Sequence, residues 1–295
     1  MNMQMCRNGH FYNMDEYAVC PHCEKEAAEG KLGSQVGILA DFSSVGDYME
    51  SREQKRKTQT FQYTCRGGRN INQDSLWYEE DESTGIWVVA DGLGGHYHSE
   101  LASEAVVRNV EQLWRQNPGI SYGELLLKCH KDIKRVQKEH PEAGNAASTI
   151  VLSRRQGDLF SCIHAGDSRL YYFRGKKLLF RTKDHSVAQI SVTLGDITEK
   201  EQNTSPDRNK LYNVLGGEKE PGTDIIEPFA MKQGDAFLLC TDGFWQYITT
   251  EEICSDLRGA SSAEKWAEAM LNRITGCMPE EQDNYSLICG LVLLE

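Results

Sequence analysis

Five strand-like runs of this chain are bounded by aspartates. The apolar run GIWVVADGLGGH (Gly85 to His96) breaks at Asp91 and passes into glycines, and FLLCTDGFW brings Asp242 to the end of another, again before a glycine. IHAGDSR sets Asp167 beside a third run, QDNYSLICG sets Asp283 just before a fourth, and Asp74, in RGGRNINQDSLWY, leads into a fifth. Singly, each placement has an ordinary explanation, because Asp-Gly is common turn chemistry and an aspartate before a strand can cap a loop. Together they constrain the fold. If the strand ends converge, like charges gather that cannot all stay ionised unless a multivalent cation neutralises them. Ligation by oxygen alone points to a hard octahedral ion, Mg²⁺ or Mn²⁺, rather than zinc or iron. Gly92 and Gly243 would let the backbone approach such an ion closely. Two such ions about 3.5 to 4 Å apart can hold a hydroxide and neutralise an in-line displacement at phosphorus. Arg69, five residues before Asp74, would supply a forked donor for phosphate oxygens.

From Thr58 onward strand and helix signals alternate densely. The runs TQTFQYTC, IWVVA, ASTIVLS, DLFSCIHA, RLYYF, KLLF, DAFLLC and YSLICGLVLL are rich in β-branched and aromatic residues and are expected to be strands, with a hairpin through Arg174, Gly175 and Lys176. Helix starts are expected at Ser121 with Glu124, Thr198 with Glu201, Thr249 with Glu252 and Ser261 with Glu264. After the first of these, Leu125, Leu126, Cys129, Ile133 and Val136 fall on one stripe. Two long helical segments, then consecutive strands, then helices again favour an α+β layered sandwich over a doubly wound parallel sheet.

Ahead of this lies a short segment, CRNGHFYNMDEYAVCPHC, with no helical or strand period and with Cys6, His10, Cys20 and Cys23 in two close pairs. Two knuckles of two ligands each can close a tetrahedron around Zn²⁺, and so small a piece would need such a staple to fold. His22, between two of these ligands, is expected to face solvent. The organisation expected is a zinc-finger-like module over residues 1–27, a linker over 28–57 and a catalytic domain over 58–295.

A net charge of −12 and a pI near 5.2 argue against nucleic acid or an anionic membrane as partner, since both demand basic clusters. The one basic run, Arg52 to Lys57, suits a solvated linker. No stretch approaches the ~18 apolar residues of a membrane span, and the start lacks the apolar core of a signal peptide, so a cytoplasmic location is expected. Cys162, Cys240 and Cys289 sit in apolar runs where a free thiol behaves as a small hydrophobe.

In order, RNINQD, VVADGLGG, STIV, HAGDSRLY, DHSVAQ, NVLGG, LLCTDGFW and DNYSLI resemble the motifs of the metal-dependent protein serine/threonine phosphatases, the protein phosphatase 2C family, in its bacterial form. The resemblance spans roughly Thr58 to the C-terminus. It implies a four-layer α/β/β/α sandwich of two antiparallel sheets flanked by helices, with a two-metal site at one edge between the sheets. By position it implies that Asp91 bridges two Mn²⁺ or Mg²⁺ ions, that the Gly92 carbonyl binds one of them, and that Asp242 and Asp283 hold the second. Asp74 would orient water, Arg69 would receive the substrate phosphate, Asp167 with Asp242 would hold a third, weaker metal, and Asn284 would support Asp283. The segment 195–209 resembles the flap that overhangs the bacterial site. Two departures stand out: Leu93 replaces a histidine thought to protonate the leaving alcohol in many eukaryotic members, and Gln73 replaces a glutamate. Neither removes a direct metal ligand, so activity is expected.

The expected function is hydrolysis of phosphoserine and phosphothreonine on proteins by a bridging metal-bound hydroxide, in a monomer. One alternative is a zinc-finger adaptor whose phosphatase-like domain binds phosphoproteins without turnover; another is a two-metal hydrolase of small phosphates or nucleotides. An adaptor has no need of clustered carboxylates. Fingers of this kind resemble those beside bacterial signalling domains, which suggests a serine/threonine kinase or a phosphopeptide-binding protein as partner. Cys129 and Arg135 match a Cys-x5-Arg spacing, but the charged, helical HKDIK between them cannot form a phosphate-cradling loop. His96 and His98 are expected at the surface, Trp87 and Trp245 in the core, and His185 in a structural role.

Overall fold

The computed structural model describes residues 3–5, 11–13, 57–93, 98–277, 279 and 281–293. The chain divides into two units, Met1–Glu53 and Gln54–Glu295. In the first, β1 (Met3–Met5) and β2 (Phe11–Asn13) pair antiparallel, with Met3 opposite Asn13. The expected zinc ligands Cys6, His10, Cys20 and Cys23, and nearly all of the expected linker, lie outside the described residues, as does His96.

The second unit is built on two antiparallel sheets. One runs in the order β11 (Asp224–Ala230), β8 (Leu159–Ala165), β7 (Ile150–Gln156), β5 (Thr84–Leu93), β4 (Asp74–Glu80), with β6 (Ala147–Ser148) paired to the end of β5. The other runs β10 (Lys177–Arg181), β9 (Arg169–Arg174), β12 (Ala236–Cys240), β13 (Tyr285–Val292), β3 (Thr58–Cys65). Strand alternation divides their side chains between three cores. Trp87, Val89, Phe160, Tyr172, Phe237, Leu239 and Ile288 meet between the sheets. Ile86, Val88 and Ala90 face outward against α1 (Glu100–Gln116) and α2 (Tyr122–Glu139). Leu238, Cys240, Leu287 and Cys289 face outward on the other side, under α5 (Asp242–Trp245), α6 (Thr250–Gly259) and α7 (Ala263–Thr275). The result is the four-layer α/β/β/α sandwich. An excursion carrying α3 (Val187–Leu194) and α4 (Glu199–Gln202) separates β10 from β11.

Local signals account for most boundaries. Ser121 accepts from the Glu124 N–H, and Thr198 with Glu201 and Thr249 with Glu252 form reciprocal capping boxes. The fourth expected cap is displaced by one residue, because it is Ser262 that accepts from the Lys265 N–H. Gly175 and Lys176, with φ of 57° and 60°, make the tight β9–β10 connection whose left-handed pair matches strand twist. β11 is absent from the expected strands. It is an edge strand with mostly exposed residues, contains Pro228 and slips register between Ile226 and Phe229, so it lacks the apolar signature of its neighbours.

Trp87 anchors the inter-sheet core: it is fully buried, its ring lies 4.8 Å from that of Phe237, and its Nε1–H donates to Thr60 Oγ1 at 3.1 Å. Trp87→Ala should therefore lower the unfolding free energy by about 3 to 5 kcal/mol, measured by urea denaturation. A loss below about 1 kcal/mol would mean the core collapses around the gap.

Candidate active site

The alternation that sorts the cores also aims the polar groups. Asp91 extends the row of Trp87 and Val89, so its side chain leaves β5 on the inter-sheet face. Asp74 pairs directly with Asp91 across β4 and β5. Thr241 extends the row of Phe237 and Leu239, and Ser286 that of Ile288, so both hydroxyls arrive at the same end. They converge on Asp74, whose Oδ2 accepts from Thr241 Oγ1 at 2.9 Å and Ser286 Oγ at 2.7 Å.

The strand does not stop at Asp91 but continues through Gly92 and Leu93, which pair with Ser148 and Ala147. The Asp91 N–H donates to Thr149 Oγ1 at 2.9 Å, and its carbonyl accepts from the Thr149 N–H and Ser148 Oγ. A Cβ on Gly92 would fall 2.3 Å from the Ser99 carbonyl oxygen, so close backbone packing requires glycine there. Gly243 is held the same way, its hypothetical Cβ lying 2.0 Å from the Asn284 carbonyl oxygen.

Asp242 opens α5 rather than closing β12, and its Oδ2 accepts from Gln246 Nε2 at 2.6 Å. Asp283 sits just before β13; its Oδ1 accepts from the Asn284 N–H at 2.8 Å and its Oδ2 pairs with Arg69 Nη2 at 2.9 Å. Asn284 also braces the loop carrying Arg69: its Nδ2 donates to the carbonyls of Arg66 and Ile71, and its Oδ1 accepts from the Gln73 N–H. Asp167, between β8 and β9, accepts on its carbonyl from Trp245 Nε1 at 2.9 Å.

The charges of Asp74, Asp167, Asp242 and Asp283 all bear on Asp91, whose carboxyl is pushed well above its usual range by burial and then by these neighbours. Burial lifts Asp74 to about 7 against the opposing hydroxyls of Ser286 and Thr241, with Asp242 and Asp283 adding to the rise. Asp242 is lifted to about 6 by burial and by Asp283, opposed by Arg208. Asp167 is raised strongly by burial and by Asp242. Among the described residues no lysine or arginine forms an ion pair with Asp74, Asp91, Asp167 or Asp242. Asp74 Oδ1 and Asp167 Oδ1 are buried without a hydrogen-bond partner. Oxygen-only donors, mutual repulsion and two orphaned carboxylate oxygens fit hard divalent cations.

A second cluster, His164, His185 and Asp224, has its ligand-type atoms within 4.8 Å of one another. Its hydrogen bonds argue against metal. The Gly166 N–H and Asn213 Nδ2 both donate to His185 Nδ1, so the proton sits on Nε2, which faces Asp224 at 3.5 Å. His164 Nε2 lies 2.9 Å from the Lys183 carbonyl and must donate to it. Neither Nε2 has a lone pair to give, which agrees with the structural role expected of His185.

Cys129 is buried in α2 with its thiol pushed up to about 12, and Arg135 pairs with Asp132 and Glu139, so the Cys-x5-Arg match is coincidental. His98 is partly exposed beside Glu100. Trp87 and Trp245 are core residues as expected, although Trp245 also holds the Asp167 backbone. The sequence reading overlooked Thr149, Thr241, Ser286 and Gln246. Strand alternation, carried one residue past the apolar run, would have found Thr241.

Residues 62–282 match the family model described as Protein phosphatase 2C. The serine/threonine protein phosphatase PstP of Mycobacterium tuberculosis is 31% identical over 222 residues, covering 71% of this chain and 41% of that protein. The chain thus spans about two fifths of the length of that relative. The serine/threonine phosphatase stp of Listeria monocytogenes is 26% identical over 215 residues, covering 70% of this chain and 84% of the relative. The crystal structure of M. tuberculosis PstP/Ppp superposes with a TM-score of 0.66 at 26% identity, covering 80% of this chain and 99% of that one. The PstP catalytic domain with two manganese ions gives a TM-score of 0.67 at 25% identity, covering 80% and 99%.

The carboxylate cluster makes stability depend on pH in a defined sense. A carboxyl whose pKa is raised by folding contributes stability present in full below its unfolded value, about 3.9, and lost as the pH climbs through the folded value. For Asp242 and Asp74 that loss is complete above about 6 and about 7. With chelator present, Asp242→Asn should melt above wild type at pH 8 and converge on it near pH ~4, and saturating Mn²⁺ should reverse the order at pH 8. Thermal unfolding followed by circular dichroism checks this; a gap independent of pH would contradict the cluster's role.

Proposed function

The chain belongs to the protein phosphatase 2C family, and from that premise we propose that it is a metal-dependent protein serine/threonine phosphatase acting on phosphoserine and phosphothreonine in proteins. The convergence of five aspartates at one edge between two sheets, two of them with orphaned carboxylate oxygens, carries this reading. Asp91, the Gly92 carbonyl, Asp242 and Asp283 would hold two Mn²⁺ or Mg²⁺ ions, and Asp167 with Asp242 a third. When bound, these ions supply water activated as a nucleophile at neutral pH and neutralise charge on the phosphoryl group.

The chain's own residues do the rest. Arg69, on a loop fixed by Asn284 and partly exposed beside Asp283, binds the substrate phosphate oxygens and orients phosphorus for in-line attack. Asp74 is locked through Oδ2 by Thr241 and Ser286, which leaves Oδ1 to accept a hydrogen bond from the attacking water. A P–O bond to that water forms as the P–O bond to the serine or threonine oxygen breaks. Leu93 offers no proton, so the alcohol takes its proton from water.

The three-part organisation, 1–27, 28–57 and 58–295, belongs to the same proposal. In the amino-acid order Cys6 with His10 and Cys20 with Cys23 form two close pairs, a spacing that suits the two halves of a zinc site. The module would dock a partner, such as a serine/threonine kinase or a phosphopeptide-binding protein, to a monomeric enzyme in the cytoplasm.

A phosphothreonine peptide with Mn²⁺ should release phosphate, and chelator or Asp242→Asn should lower kcat/KM by at least about a hundredfold, as expected on losing an electrostatic contact to developing charge. Arg69→Ala should raise KM about tenfold with a smaller effect on kcat. Wild type inert across several peptides and metals would overturn the reading. Elemental analysis of the full chain should find one zinc that Cys20→Ser with Cys23→Ser removes while phosphatase activity persists; protein purified without zinc would refute the finger.

A further inference from the structure

In the short helix α4, Glu199, Lys200 and Glu201 are exposed while Gln202 is buried, at 1% exposure. Burying an amide is costly unless it is hydrogen-bonded, and Gln202 Nε2 donates to Asp184 Oδ2 at 2.8 Å. Asp184 in turn receives Arg169 Nε at 2.7 Å and Nη2 at 2.6 Å in a buried bidentate pair. The Arg169 guanidinium lies over the Trp245 ring, 3.4 Å from its centroid, and the Trp245 Nε1–H holds the Asp167 carbonyl. Trp245 ends the same four-residue helix that Asp242 begins. A continuous chain of contacts therefore runs from the 195–209 excursion to Asp167 and Asp242.

We propose that Gln202 is a positioning residue that clamps the 195–209 excursion, through Asp184, Arg169 and Trp245, to the Asp167 and Asp242 end of the site. Seating of the excursion and the hold of those two carboxylates on a divalent cation then become one coupled equilibrium. Such coupling is reciprocal: a cation that fixes Asp167 and Asp242 steadies the clamp, and loosening the clamp weakens the cation. Arg169 reaches both Asp184 oxygens, so the Gln202 amide adds a further donor to a carboxylate that is already paired. Two further ties join the excursion to this region: Arg181 Nη2 reaches exposed Glu199 at 3.4 Å, a weak pair, and the charge of Arg208 bears on Asp242 without an ion pair among the described residues.

The inference rests on the phosphatase reading for the identity of the cation, and its test does not depend on turnover. Gln202→Met keeps the bulk and removes the donor; Trp245→Phe keeps a ring beneath Arg169 and removes the N–H; Glu199→Ala is the control. Tryptic cleavage after Lys200 and Arg208 should slow in wild type when Mn²⁺ is added. In Gln202→Met it should run about tenfold faster, and calorimetry should show the weakest Mn²⁺ binding loosened by a similar factor, the scale of one hydrogen bond to a charged group. Trp245→Phe should share the loss of Mn²⁺ affinity, and Glu199→Ala should match wild type. Gln202→Met indistinguishable from wild type in both cleavage and Mn²⁺ binding would overturn the clamp, as would losses that merely track a fall in melting temperature. Because cleavage and binding need no catalysis, an inert wild type would count against the phosphatase reading alone.

Discussion

Repulsion among carboxylates that packing forces together is the constraint around which this fold is arranged. Asp74, Asp91, Asp167 and Asp242 are all raised by burial and by neighbouring acids, and relaxing apart would relieve them. They cannot do so, because Asp74 and Asp91 are opposed in register on adjacent strands and the other acids sit at strand or helix ends closing the same edge. The apolar rows behind them, Trp87 and Val89 against Phe237, Leu239 and Ile288, supply the burial that keeps the edge closed. A site of this kind is destabilising while its carboxylates are ionised and is relieved by protonation or by a bound cation.

The groups bordering the acids divide into two kinds. Thr241, Ser286, Thr149 and Gln246 donate to, or accept from, specific atoms and so fix where each aspartate stands. Arg69 and Arg208 bring positive charge without burying it, Arg69 through Asp283 and Arg208 through its field on Asp242. Neutral donors orient at little electrostatic cost, whereas a buried cation would compete with the metal. The buried guanidinium of Arg169 is paired with Asp184 and only partly offsets the charge of Asp167.

The two histidine and carboxylate groupings met in this chain show why donor types alone mislead. His164, His185 and Asp224 have the composition of a metal site, yet a backbone N–H from Gly166 fixes the proton on the wrong nitrogen. The aspartate edge lacks imidazole entirely and still has the better electrostatics for a hard ion. Burial and hydrogen-bond direction separate them, and neither is visible in a list of residues.

Much of this was legible from the amino-acid order. Runs rich in β-branched and aromatic residues marked nearly all of the strands of the second unit, capping residues marked several helix starts, and aspartates at strand boundaries marked the site, because each is a local consequence of backbone and side-chain geometry. β11 escaped because an edge strand with a proline and exposed residues carries no apolar period. The sequence alone determined the layered fold class and the acidic residues that had to be compensated. Tertiary structure decided which partners those residues meet: Asp74 with Thr241 and Ser286, Asn284 with the Arg69 loop, and Gln202 with Asp184. These pairs are separated by 167, 212, 218 and 18 positions, and no local preference encodes a contact that exists only once two sheets have packed and a distant excursion has folded back on them.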